Sequence, residues 1–253
     1  MISMLVNEHY RLARNRLIQL SMLVMPVLAC LMAIFFSDLV KVNNGNMLNY
    51  MSIIASTLIV ISLMGIGVAG TILSNEYQNG TLKLIMIRPI SRSALLFSKW
   101  LTVILYLLYL FILAFAASMA LGSLLFGFEG FGANGHMFSA IMLKYAMAFT
   151  EAFMIVTFTY MVSVVFKNGA FSIGVGMAAL LGGKLVTEVF RLLEWKGGIF
   201  LLFANTKLDQ YFFGNKPVYD EMSFSYSMII LGLHFFFFYG VAWWFFVKRD
   251  ISV

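Results

Sequence analysis

Few side chains in this 253-residue chain could do chemistry, and their spacing narrows what that chemistry is. His9, His136 and His234 are scattered too widely to share a metal. Cys30 stands alone, which excludes an internal disulfide and a CxxC ligand pair. No HExxH, GxSxG or paired-carboxylate run occurs in the sequence. Glu151 draws attention instead, an acid inside a long apolar run, with Lys144 two helical turns before it. An ionisable residue at the centre of a membrane span costs about 2.5–3.5 kcal/mol on insertion scales, so Glu151 should face protein or water. Two roles suit it: drawing a cationic substrate along a translocation path, or pairing structurally with a polar or basic group of another helix. Lys144 can snorkel to the outer interface. The expectation is a chain without catalytic residues or a metal of its own, and not an enzyme by itself.

Two glycine motifs fail on context. Gly65-Ile66-Gly67-Val68-Ala69-Gly70 matches GxGxxG, which binds a dinucleotide only where a strand gives way to a helix N-terminus facing pyrophosphate. Here the motif lies inside an apolar run, and Gly65, Ala69 and Gly70 read better as small residues that let helices approach. Gly182-Gly183-Lys184 is followed by Leu185 where a phosphate loop needs Ser or Thr, so no ATP binds by that route. Asn79-Gly80-Thr81 is formally a glycosylation sequon, inert if it lies in the cytoplasm.

The elements that must position these residues are membrane helices. The chain is 62% hydrophobic and 11% charged, with a mean hydropathy of +0.92, whereas an ordinary soluble domain is about 25% charged. So few charges cannot cover a water-facing surface. That excludes a soluble enzyme, a disordered chain and a nucleic-acid module, despite the formal charge of +6. A span needs about 20 apolar residues, and runs at 17–36, 51–73, 95–126, 140–166, 170–186 and 226–247 predict six of them. The predicted fold class is an all-α integral membrane protein, one six-helix domain over 17–253. With both termini inside, ten basic residues face the cytoplasm against three acids, the bias that the positive-inside rule requires. Residues 1–16, carrying Arg11, Arg14 and Arg16, predict a basic interfacial helix with Leu5, Leu12 and the stem of Tyr10 toward lipid. Val27-Leu28-Ala29-Cys30 loosely matches a lipoprotein cleavage box, but the apolar run continues to a full span and five more follow, so no cleavage is expected.

Between the second and third spans, residues 81–88 predict a short helix. Gly80 permits a sharp turn, Thr81 can cap, Leu82 to Ile87 give under two turns, Arg88 suits the negative helix end and Pro89 stops it. Ser91 can then cap the third span. Leu82, Ile85 and Met86 are too apolar to face the cytosol alone, which predicts a docked partner. The order Glu76…Gly80-Thr81-Leu82…Pro89…Arg92…Lys99 between these spans resembles the permeases of type-2 ABC exporters. The motif covers about a tenth of the chain, while length and span count extend the resemblance to all of it. Within that family the chain is similar to permeases that export bacitracin-like, lantibiotic or phenol-soluble-modulin-type peptides.

The resemblance implies that 81–88 is a coupling helix docking on a separate ATPase subunit, present in two copies. The turn at Lys167-Asn168 is the expected second contact. ATP and magnesium would sit on that ATPase, with no cofactor on this chain. A second permease copy, identical or homologous, would complete the path within membrane lipid. The substrate would be an amphipathic antimicrobial or cytolytic peptide, leaving through a bacterial cytoplasmic membrane with both chain termini inside; no nucleic acid is an expected partner. Exporters of lipid or of small hydrophobic drugs are the alternative. An ATP-independent secondary transporter is a further one, and it would show an inverted repeat and more intramembrane charge. Finally, residues 184–225 predict an outer amphipathic segment: Lys184, Glu188 and Arg191 oppose Leu185, Val189, Leu192 and Leu193, and Gly197-Gly198 breaks the helix. A lid over the exit and simple packing against the bundle both fit that pattern.

Overall fold

The computed structural model describes residues 2–35, 46–82, 91–127 and 135–248. Every regular element among them is helical, and six helices are long and apolar enough to cross a membrane. The chain is an all-α membrane protein.

Helix α1 (Ile2–Ala13) ends at Arg14-Asn15, and α2 (Arg16–Phe35) follows as the first span. The second hydrophobic run, expected as one helix over 51–73, is instead divided into α3 (Met47–Ala55) and α4 (Ile59–Thr71), with α5 (Ser74–Gln78) continuing it. The hydroxyls at the break explain it. Thr57 Oγ1 donates to the Ile54 carbonyl at 2.8 Å, while the amides of Ser56 and Thr57 turn to carbonyls three residues back. Such local bonds compete with the i→i−4 ladder and bend or interrupt a helix.

The remaining spans are α6 (Arg92–Phe126), α7 (Gly135–Phe166), α8 (Gly169–Leu192) and α10 (Phe224–Lys248), with α9 (Leu202–Thr206) between two 3-10 turns at Lys196–Phe200 and Leu208–Tyr211. Ser91 caps α6 as expected, its hydroxyl accepting from the Ala94 amide at 3.3 Å. The fifth span corrects an expectation. Its helix runs on to Leu192 rather than ending near 186, so residues 184–192 are the far end of a span and not a separate helix. Gly182-Gly183 does not break it, because Gly183 is the flat spot against which the Phe203 ring lies.

α4 and α7 form the centre of the bundle, each with 56% of its most apolar stretch buried, and α2, α8 and α10 lie outside them. Small residues make this approach possible. A Cβ on Gly65 would stand 2.6 Å from Leu107 of α6 and 2.7 Å from Val156 of α7. Gly70 backs onto Ile173 of α8, Ala69 is fully buried, and Gly176 of α8 abuts Thr159 of α7. The GxGxxG run is thus a helix-packing face. Trp100 joins three spans: its Nε1 donates to Thr157 Oγ1 at 3.2 Å, and Phe153, Phe235 and Tyr239 surround the ring.

Candidate functional site

Two polar clusters occupy opposite ends of the bundle. At the end carrying the termini, Lys99 is fully buried in α6, two turns after the helix begins at Arg92. Its Nζ donates to Glu76 Oε1 of α5 at 2.6 Å and to Glu8 Oε1 of α1 at 3.0 Å. Arg11 of α1 also pairs with Glu76, and its second nitrogen meets Glu8 at 3.0 Å. Two cations thus hold the buried Glu76 and the part-buried Glu8, and the four residues tie α1 to the ends of the second and third spans. A buried carboxylate persists as an ion only when so paired. Beside them lies a cavity of about 620 Å³ between α2, α4 and α8, lined by Asn15, Ser21, Asn75, Glu76 and Tyr106 among others.

Several predicted residues make contacts within the bundle that the sequence did not show. Glu76 and Leu82 are buried, and neither presents a side chain to a docked protein. Leu82, expected to need an external partner, finds it in the bundle's own core. Arg11 joins the ion cluster instead of lying on the lipid surface, while Arg14, Arg16 and Tyr10 are exposed. Gly80 has φ +66°, the left-handed turn its sequence position requires, and helical conformation begins at Thr81, where the predicted helix starts. Arg92 donates to the Val247 carbonyl at 3.0 Å, and Trp243 donates to Ser93 Oγ at 2.9 Å, so the third span is stapled to the sixth. Lys167 (φ +53°) places its ammonium 4.7 Å from the Tyr77 ring centroid, and Asn168 caps α8 by accepting from the Phe171 amide at 3.1 Å. The turn at 167–168 thus stands directly against α5. Ile85, Met86, Arg88 and Pro89 lie outside the described residues, as does the side chain of Leu5.

At the opposite end, Glu151 of α7 pairs with Lys184 of α8 at 2.9 Å. Lys144 does not snorkel freely: it donates to Ser52 Oγ of α3 at 3.0 Å and lies over the Phe213 ring. These groups line a cavity of about 720 Å³ together with Ser56, Lys207 and Asp209, so the broken second span opens onto it. The segment after α8 forms its roof. Asn205 donates to the Ile199 and Leu201 carbonyls, both at 2.8 Å, and accepts from Ser227 at 2.9 Å. Gln210 donates to the Ala204 carbonyl at 3.0 Å and accepts from the Val218 amide at 2.8 Å. Burial pushes the Tyr211 phenol above its ordinary value against the hydrogen bond with Ser227, so it stays neutral. Sequence reasoning missed Glu8, although Glu8 and Arg11 share one helical face, and it missed Lys184 as the partner of Glu151.

The comparisons bear on the whole chain. Residues 8–252 match the family described as a protein of unknown function, DUF2705. The chain is 30% identical over 245 residues to the uncharacterized membrane protein YdbK of Bacillus subtilis strain 168, spanning 96% of this chain and 100% of that protein. It is 33% identical over 217 residues to the uncharacterized protein YhcI of the same organism, spanning 81% of this chain and 69% of that protein.

Proposed function

We propose that this chain, which belongs to the DUF2705 family, is the permease subunit of an ATP-driven exporter in a bacterial cytoplasmic membrane. Its termini face the cytoplasm, a second permease copy completes the path, and two ATPase subunits supply ATP and magnesium. One observation carries the reading. Glu8, Arg11, Glu76 and Lys99 bind α5 and α6, the helices that flank residues 83–90 in sequence, to each other and to α1. A push on 83–90 would therefore move the second and third spans as one body. The Lys167-Asn168 turn, seated on Tyr77, extends the same platform to the fourth and fifth spans. The cargo we assign is an amphipathic antimicrobial or cytolytic peptide, with lipids and small hydrophobic drugs as the alternative class.

The test is co-expression with an ABC ATPase sought in the reading frames next to this one. The tagged permease should retain the ATPase in detergent, and amphipathic peptides should raise ATP hydrolysis severalfold. Replacing Ile85 and Met86 together by Asp should abolish retention while the permease still folds; undiminished retention sinks the docking model. Leu82→Asp is unsuitable here, since it would place a charge in the core. A carrier working without ATP is the second reading, favoured by the interrupted second span beside Lys144. Transport that persists in vesicles without the ATPase would select it.

A further inference from the structure

We propose that the end of the bundle remote from the termini holds one anionic phospholipid, its head in the charged cavity and one acyl chain in an adjoining apolar groove. The groove encloses about 640 Å³ between α8 and α10 and is lined by Phe158, Ala178, Gly182, Val186, Leu233 and Phe237 among others. Phe203 lines both spaces, with its ring against Gly183, so the two chambers lie on either side of one side chain.

Three observations point to a lipid. The first is order. Along α8 the groove lining runs from Ala178 to Val186 and the cavity lining from Lys184 to Glu188, overlapping by less than a turn, about 15 Å from first to last. Along α7, which runs the other way, Lys144 and Glu151 of the cavity precede Phe158 of the groove. Both helices therefore place the charged chamber toward the cap and the apolar chamber toward the middle of the membrane, the polarity of a lipid in its own leaflet. The second is charge. Lys144, Lys184 and Lys207 line the cavity with Glu151, Glu188 and Asp209, but Glu188 is already held by Arg191, which lies outside the lining. That leaves one positive charge in excess, and Lys144 spends its hydrogen bond on a neutral hydroxyl. The third is size. A helix about 10 Å across rising 1.5 Å per residue fills roughly 120 Å³ per residue, so the groove would take only about five residues of a helical peptide. An extended hydrocarbon chain fits where a helix does not.

This site does not depend on docking of an ATPase, and the chain alone tests it. Native mass spectrometry of the full-length protein, titrated with dioleoyl phosphatidylglycerol, should show one lipid held at least tenfold more tightly than dioleoyl phosphatidylcholine. A Cβ at Gly182 meets open space, so Gly182→Leu fills the groove without disturbing the bundle. It should weaken binding at least tenfold, and exposed Ala178→Leu should do the same from the next turn. Lys144→Gln with Lys207→Gln should remove the preference for the anionic head. Competition by glycerol 3-phosphate at concentrations like those of the lipid would mark a free-phosphate site and overturn the proposal. So would lipid binding indifferent to all these variants, which marks surface adsorption, or a cationic amphipathic peptide that binds with the same variant dependence.

Discussion

Glu76 and Glu151 are both acids among apolar neighbours, yet their ion pairs should contribute very unequally to stability. Glu76 shares its carboxylate between Arg11 and a Lys99 that has no contact with solvent. Lys99→Met would leave the buried Glu76 and the part-buried Glu8 with only half-exposed Arg11 between them, and breaking a buried pair costs about 3–5 kcal/mol. Thermal unfolding in detergent should show that loss, and adding Glu76→Gln should restore part of it; no recovery would mean that Lys99 acts through packing alone. Lys184, by contrast, is 52% exposed, so its pair with Glu151 is screened and contributes about 1 kcal/mol or less. Glu151→Gln should leave the unfolding temperature within a few degrees of the parent, and a transport defect in that folded variant would assign Glu151 to the path. The sequence marked both acids as unusual because ionisable residues are rare in spans. It could not show their partners, which lie 23 and 65 residues from Glu76 and on a different helix from Glu151.

At the level of helices, the packing face read from Gly65, Ala69 and Gly70 is where the sequence was most informative. Small residues at one-turn spacing in an apolar run have few other uses. Gly65 and Gly67 separate the packing reading from generic flexibility. Gly65→Ala drives a methyl into Leu107 and Val156, and overpacking of that kind costs about 1–3 kcal/mol. Gly67→Ala meets nothing within 4 Å, and exchange of glycine for alanine in a helix gains roughly 0.5–1 kcal/mol. Unfolding temperatures should therefore move in opposite directions, and equal shifts would remove the helix-contact account. The elements the sequence misplaced were decided by bonds and contacts that residue types alone do not fix. The second span breaks where the Ser56 and Thr57 amides and the Thr57 hydroxyl turn to carbonyls three residues back, a local choice that serine and threonine do not always make, and the fifth span passes Gly182-Gly183 because Phe203, twenty residues on, covers the gap. Leu82 looked like a docking residue for the same reason: an apolar side chain beside a turn gives no sign of which side will cover it.

For the whole molecule, the deciding quantity is which way the two polar ends face. The end with the termini carries Arg14, Arg16, Arg92 and Lys167, with Glu8 and Glu76 committed to Arg11 and Lys99. The capped end mixes Lys144, Lys196, Lys207 and Lys216 with Glu194, Asp209, Asp220 and Glu221. Basic residues near short loops are held on the cytoplasmic side, whereas a long, charge-balanced segment contributes little to orientation. The termini end is therefore expected inside, and segment 83–90 meets the compartment that holds ATP. Cys30, exposed on α2, must first be replaced by Ala so that a single introduced thiol reports alone. In intact cells a membrane-impermeant thiol reagent should label Lys216→Cys, which is exposed in the cap, and should spare exposed Thr81→Cys until the membrane is opened. The reverse pattern would put 83–90 outside the cell, where no ATPase could drive it, and the exporter reading would fall while the lipid site, which needs only a leaflet on its own side, would stand.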